Sequence, residues 1–258
     1  MKISLFSMPV QIKKYFLSVL LSACFCVTAH AASDDDLNLV AAAQRGDVRL
    51  FNMMLEMGAS IHAVDAGGNN AVLMAVYSGS HELLKRALAK GVDVNVKGRI
   101  GFTPLSLAAM RGDELSVRLL LKAGASINEK DFNGHTPLIN AILLERDAIF
   151  NMLLEAGADV DIADAKNQSP LMIATQLGQL QRVQALLKKH ADVNQPDRHG
   201  GTVLYWAIYE GHDDIANLLI QNGAELRQPT NGYTPLHWAT VTGRDAIVQR
   251  LAAAGVRE

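Results

Sequence analysis

Seven histidines lie beyond Ala31, at positions 62, 81, 135, 190, 199, 212 and 237, and imidazole is the side chain best suited to metal ligation or proton transfer near neutral pH. Either task needs groups that converge. No His-Glu-x-x-His pair sets two imidazoles on one helix face, and no Gly-x-x-x-x-Gly-Lys loop is present to cradle a phosphate. His212-Asp213-Asp214 has the letters of a catalytic string, but acidic residues there suit the positive end of a helix. Gly67-Gly68-Asn69-Asn70 reads as a turn. Two histidines on adjacent turns could share a metal, yet their dispersal reads as surface and turn positions. Trp206 and Trp238 could stack on a ligand; the equivalent place upstream is Leu107, so packing between helices is expected. The only cysteines, Cys24 and Cys26, sit in the segment Met1–Ala31 and leave no thiol further on. No catalytic residue, metal ligand or cofactor is assigned.

What could position a surface is a repeat. Its fullest statements are Gly101-Phe-Thr-Pro-Leu-Ser-Leu-Ala-Ala109 and Gly232-Tyr-Thr-Pro-Leu-His-Trp-Ala239. Taking the threonine as register mark gives Leu37, Asn70, Thr103, Thr136, Ser169, Thr202 and Thr234. The marks are evenly spaced, the last interval being one shorter, and the period of about 33 residues is that of a stacked repeat architecture. Two residues after each mark stands an aliphatic (Leu39, Val72, Leu105, Leu138, Leu171, Leu204, Leu236), and five after it an alanine (Ala42, Ala75, Ala108, Ala141, Ala174, Ala207, Ala239). In the third unit Thr103 is placed to cap a helix that Pro104 begins and Gly112 ends, and a second helix is predicted over Glu114 to Lys122, closed by Gly124. Helices this short are marginal alone, so each pair must bury its apolar face against the next. The fold class is an all-α solenoid of about seven stacked helix–turn–helix units joined by extended, β-hairpin-like fingers. The units run 32–64, 65–97, 98–130, 131–163, 164–196, 197–228 and 229–258.

The segment 1–31 stands outside the frame. Lys2, Lys13 and Lys14 precede an apolar run from Tyr15 to Val27 and then Ala29-His30-Ala31, the order of a secretory signal peptide. The run is short for a membrane span, which takes roughly 20 residues, so no transmembrane segment is expected. Leu21-Ser22-Ala23-Cys24 offers an alternative, a lipid anchor at Cys24, although apolar Phe25, Cys26 and Val27 follow it. The expected compartment is the bacterial periplasm, with a secreted protein or a lipoprotein as alternatives. Cleavage after Ala31 leaves 21 basic against 26 acidic residues, a balance that argues against nucleic acid.

Period, helix pair and the Thr-Pro-Leu words together resemble the ankyrin repeat, over residues 32 to 258 and in an exported bacterial form. Departures accompany the match. The histidine closing the family's Thr-Pro-Leu-His box is present only as His237, Glu145 replaces the glycine between helices, and His190 replaces the glycine ending the second helix of the fifth unit. A non-glycine residue at positive φ is unfavourable, so a reshaped turn is expected in the fourth unit. Asp34-Asp35-Asp36 reads as a polar N-terminal cap, and Asp245, Gln249 and Arg250 as its C-terminal counterpart.

The resemblance implies a protein partner bound along the finger tips and the exposed end of each first helix, by a monomer. On that basis the binding residues are Arg99, Ile100, Phe102, Met110, Arg111, Phe132, His135, Leu143, Leu144, Leu177, Arg198, His199, Tyr209 and Tyr233. Such places should be solvated, so the apolar ones among them read as a binding patch, the plainer account being that some tuck between fingers. The implied function is a non-enzymatic scaffold that protects or restrains an exported enzyme, with a secreted effector acting on a host protein as the alternative.

Overall fold

The computed structural model describes residues 33–99 and 101–257. The expected signal peptide with Cys24, the cleavage expected after Ala31, and Ile100 all lie outside them. Fourteen helices occupy the described residues in seven antiparallel pairs: α1 Asp34–Arg45 with α2 Val48–Glu56, α3 Ala71–Ser78 with α4 His81–Ala89, α5 Pro104–Arg111 with α6 Glu114–Lys122, α7 Pro137–Leu143 with α8 Asp147–Glu155, α9 Pro170–Gln176 with α10 Leu180–Lys188, α11 Val203–Glu210 with α12 Asp213–Gln221, and α13 Pro235–Val241 with α14 Asp245–Ala253.

The register explains the helices. From the second unit on, each mark residue is the N-cap of a first helix. The side chains of Asn70, Thr103, Thr136, Ser169, Thr202 and Thr234 all accept the backbone N–H three residues on, satisfying an otherwise orphaned donor. The first unit differs: α1 starts at Asp34, a turn before its mark, where Ser33 and Asp36 close a reciprocal capping box. The aliphatic and alanine frames fall in the core, with all seven alanines at 0 or 1% exposure. Alanine leaves room for neighbouring first helices to approach. These lie closer to one another than the second helices do.

Between units the chain makes tight turns, not strands. Among the described residues only two isolated bridges occur, Val64 with Asn70 and Thr230 with Tyr233. An aspartate closes four of these fingers: one oxygen each of Asp65, Asp131, Asp164 and Asp197 accepts the N–H groups two and four residues ahead, at 2.8–3.0 Å. Neighbouring fingers are tied by backbone bonds, Arg99 N–H to the Gly67 carbonyl, Ala165 to Asn133 and Arg198 to Lys166. Behind them a side-chain ladder joins successive units, with Asn95, Asn128, Asp161 and Asn194 accepting from Ser126, Asp159, Asp192 and Glu225.

The expected reshaping at Glu145 does not occur. Glu145 takes φ 55° and His190 φ 63°, the left-handed region their glycine counterparts occupy. The bonds are kept too: Glu145 and Arg146 donate to Ile142 and Ala141 at 3.2 and 2.8 Å, as Gly112 and Asp113 do to Ala109 and Ala108 at 3.2 and 3.1 Å. The turn keeps its hydrogen bonds, and the residue accepts the strain.

The starts of the second helices divide the array. In α2, α4 and α6 the N-cap side chains Asp47, Ser80 and Asp113 accept from their own helix. In α8, α10, α12 and α14 the N-caps Arg146, Gln179, His212 and Arg244 make no such bond and reach back instead. Arg146 Nε donates to the Met110 carbonyl and Gln179 Nε2 to the Ile142 carbonyl, while His212 and Arg244 lie against Gly178 and Gly211.

Candidate protein-binding surface

Positions that the frame leaves free fall into two groups. Phe102, Met110 and Leu144, expected at the surface, are buried at 1, 3 and 9% exposure. This corrects the expectation, and each burial has a cause in the next unit. The Phe102 ring lies beneath Phe132 of the following finger, centroids 6.1 Å apart at 82°. Arg146 closes over the end of α5 at Met110, and Gln179 over the end of α7 near Leu144. Leu143 is half-buried and packs on the core.

His135 occupies the same inter-finger position. Its ring lies 3.9 Å from an Asp131 oxygen and 3.8 Å from one of Asp164. Burial holds its pKa below the usual imidazole value, although both carboxylates pull the other way. A different imidazole links the second and third units, His81 Nε2 lying 2.8 Å from Asp113. Among the described residues no group of three or more His, Cys, Asp or Glu is arranged to hold a metal.

The second group is open to solvent. Phe132 is 61% exposed, Leu177 45%, Tyr209 49% and Tyr233 50%. Arg99, Arg111, Arg198 and His199 are also exposed, and Arg198 Nη2 is held at 2.6 Å on the Ala165 carbonyl. Phe132 stands apart on the fourth finger. Tyr209 and Tyr233 belong to a larger assembly.

That assembly is an aromatic cluster spanning the last two units. Tyr205 meets Trp206, Tyr209 and Trp238 at centroid distances of 5.1, 5.6 and 5.2 Å. Tyr209 also meets both indoles, edge to face, and Tyr233 stacks on His237 at 4.4 Å while touching Trp238. Each indole N–H is engaged: Trp206 Nε1 donates to Asp197 at 2.9 Å and Trp238 Nε1 to the Thr230 carbonyl at 3.2 Å. The tryptophans thus pack between helices and fingers, as their register implied, while still lining the surface. Burial raises the Tyr205 phenol above its ordinary pKa, helped by Tyr209, Asp197 and Glu210, so its hydroxyl stays neutral. Between the sixth and seventh fingers the cluster borders a depression of about 190 Å³ lined by Asp197, His199, Gly201, Tyr205, Trp206, Thr230 and Asn231.

Of these residues Tyr209, Tyr233 and His199 were among the expected binding positions. A signal for the rest was present, since three of the five tyrosines and both tryptophans fall between residues 205 and 238.

Comparison with protein families matches a model described as ankyrin repeats (3 copies) in four overlapping stretches, residues 39–131, 75–164, 117–197 and 171–257. The chain belongs to the ankyrin repeat family. No curated protein matches it. As an ankyrin repeat array it is a scaffold suited to protein–protein interaction, with a framework devoted to stacking and variable positions left for a partner. Among the described residues no helix is long and apolar enough to cross a membrane.

Proposed function

We infer that this ankyrin array is a non-enzymatic scaffold, exported to the bacterial periplasm, that docks one protein partner on its first-helix side and protects or restrains it, the partner being itself an exported enzyme. The observation that carries the docking reading is the exposed aromatic surface at Tyr209 and Tyr233, backed by Trp206 and Trp238, with Phe132 and Leu177 on earlier units. Half-exposed aromatic rings on a rigid frame are what interface anchors require: large area, few rotatable bonds and little to order on binding. The periplasmic reading rests on the basic, apolar and small-residue order of the segment Met1–Ala31.

The test is capture from an envelope extract by the exported chain, beside a Tyr209→Ala/Tyr233→Ala variant of unchanged melting temperature. Loss of the captured protein by the variant supports this surface. Equal capture would move the site elsewhere. Cell fractionation and intact mass check the rest: retention in the periplasm with a mass starting after Ala31 is expected, whereas release to the medium favours a secreted effector, and an acylated Cys24 a lipoprotein.

A further inference from the structure

The depression between the sixth and seventh fingers has electrostatics that a merely apolar docking surface would not need. Its indole N–H groups are engaged by Asp197 and Thr230, so the wall presents ring faces and edges, not donors. That disfavours a proline-rich strand, whose carbonyls are bound by such donors. Its charged groups are acidic. Asp197 lies in the lining, its two oxygens accepting from the His199 and Gly201 N–H groups and from Trp206 Nε1, and exposed Glu210 ends α11 one turn on from Trp206. Neither carboxylate has an ion-pair partner among the described residues. Of the basic groups nearby, Arg198 Nη2 is bound to the Ala165 carbonyl, and Arg244 lies against Gly211 and 3.8 Å from Asp213. His199 also lines the depression, and His237 is stacked on Tyr233.

A π-rich wall with unpaired negative charge attracts cations. Size narrows the choice further, because about 190 Å³ holds one side chain, whereas small-molecule pockets run from about 300 to 1,000 Å³. Gly201 keeps the space open: a Cβ there would lie 2.6 Å from Asp197 Oδ2 and 3.0 Å from Trp206 Nε1. We propose that this depression receives an arginine side chain of the bound protein, its guanidinium lying against Tyr205 and Trp206 with Asp197 and Glu210 as counter-charges. Arginine is preferred over lysine because its planar, weakly hydrated fork stacks on aromatic rings. The proposal rests on the docking surface inferred above and names what that surface recognises.

The chain has two tryptophans, both in this cluster, so its two indole N–H resonances report directly on the site. The experiment titrates the isotopically labelled exported chain with acetyl-Gly-Arg-Gly-amide and with the citrulline, lysine and glutamate versions. A saturable shift of the Trp206 indole is expected with the arginine peptide. Citrulline, of the same shape without charge, should bind about two- to fivefold more weakly, and Glu210→Gln should narrow that gap. Equal shifts from arginine and citrulline peptides, a response to the glutamate peptide as strong as to arginine, or no shift with arginine would each overturn the proposal. The docking reading fails separately: it falls if Tyr209→Ala/Tyr233→Ala leaves partner capture intact, whatever the peptides do.

Discussion

Glu145 and His190 hold left-handed backbone that glycine occupies at the equivalent turns, and replacing both with glycine should stabilise the array. The left-handed conformation costs a non-glycine residue about 1–2 kcal/mol. Glycine returns about 0.5–1 kcal/mol of that through its greater freedom when unfolded. Taking the middle of each range, the net gain is about 0.75 kcal/mol per site. Nothing offsets it, because both side chains are exposed and neither forms a hydrogen bond or ion pair among the described residues. The sites lie in different units and share no partner, so the double variant should gain about 1–2 kcal/mol. Urea unfolding followed by far-ultraviolet circular dichroism reads this as a higher midpoint at unchanged slope. Asn231→Gly serves as a control: its φ is 54°, but asparagine tolerates this region, so its gain should be smaller. A Glu145→Gly midpoint that stays or falls would refute the reasoning and place a stabilising role on the glutamate itself.

Phe102→Ala removes a ring at 1% exposure and should cost about 3–5 kcal/mol, whereas Phe132→Ala, losing an exposed ring and one edge contact, should cost about 1 kcal/mol; paired melting curves check the difference. Asp113 is pushed up by burial but drawn down more by Ser116 and His81, leaving it below 3.8. Its stabilisation should therefore be full above that value and lost as pH falls through the lower folded value, and Asp113→Asn should destabilise at pH 7 yet little in strong acid, by denaturant midpoints at several pH values. His135 is depressed by burial, so the folded chain resists its protonation and stability should fall as pH drops below about 6.5; His135→Gln should flatten that slope in the same titration.

Most of the fold was legible because the repeat states each element seven times. Thr103, Pro104 and Gly112 bound α5 where cap chemistry put them, and α6 runs over Glu114–Lys122 as predicted. The surface was less legible, for a physical reason. Phe102 and Phe132 are alike as letters, but one finger covers the first while nothing covers the second, and that relation exists only between units. Glu145 likewise broke a local preference, yet its turn keeps the backbone geometry and hydrogen bonds of the glycine turns. The aromatic cluster was hidden by the opposite error. Trp206 and Trp238 read as core, and their register did place them between helices; Tyr205, at the place of the family's histidine, joins them to Tyr209.

The division among second-helix starts bears on how the array comes apart. In the first three units α2, α4 and α6 are capped by their own residues, so part of their stability is intrinsic to the unit even where Asp113 also holds His81 of the unit before. From the fourth unit onward Arg146, Gln179, His212 and Arg244 turn their side chains to the preceding unit, which shifts stability from the unit to the interface. In a nearest-neighbour chain, strong interfaces joining weak units produce one cooperative block, and weaker coupling lets units fray singly. The last four units should open together, and the aromatic surface lies within that block. A partner seated there clamps two units whose separation would release the rest, so its arrival should slow hydrogen exchange back to α8. The block of units that opens as one would then be held closed by its cargo.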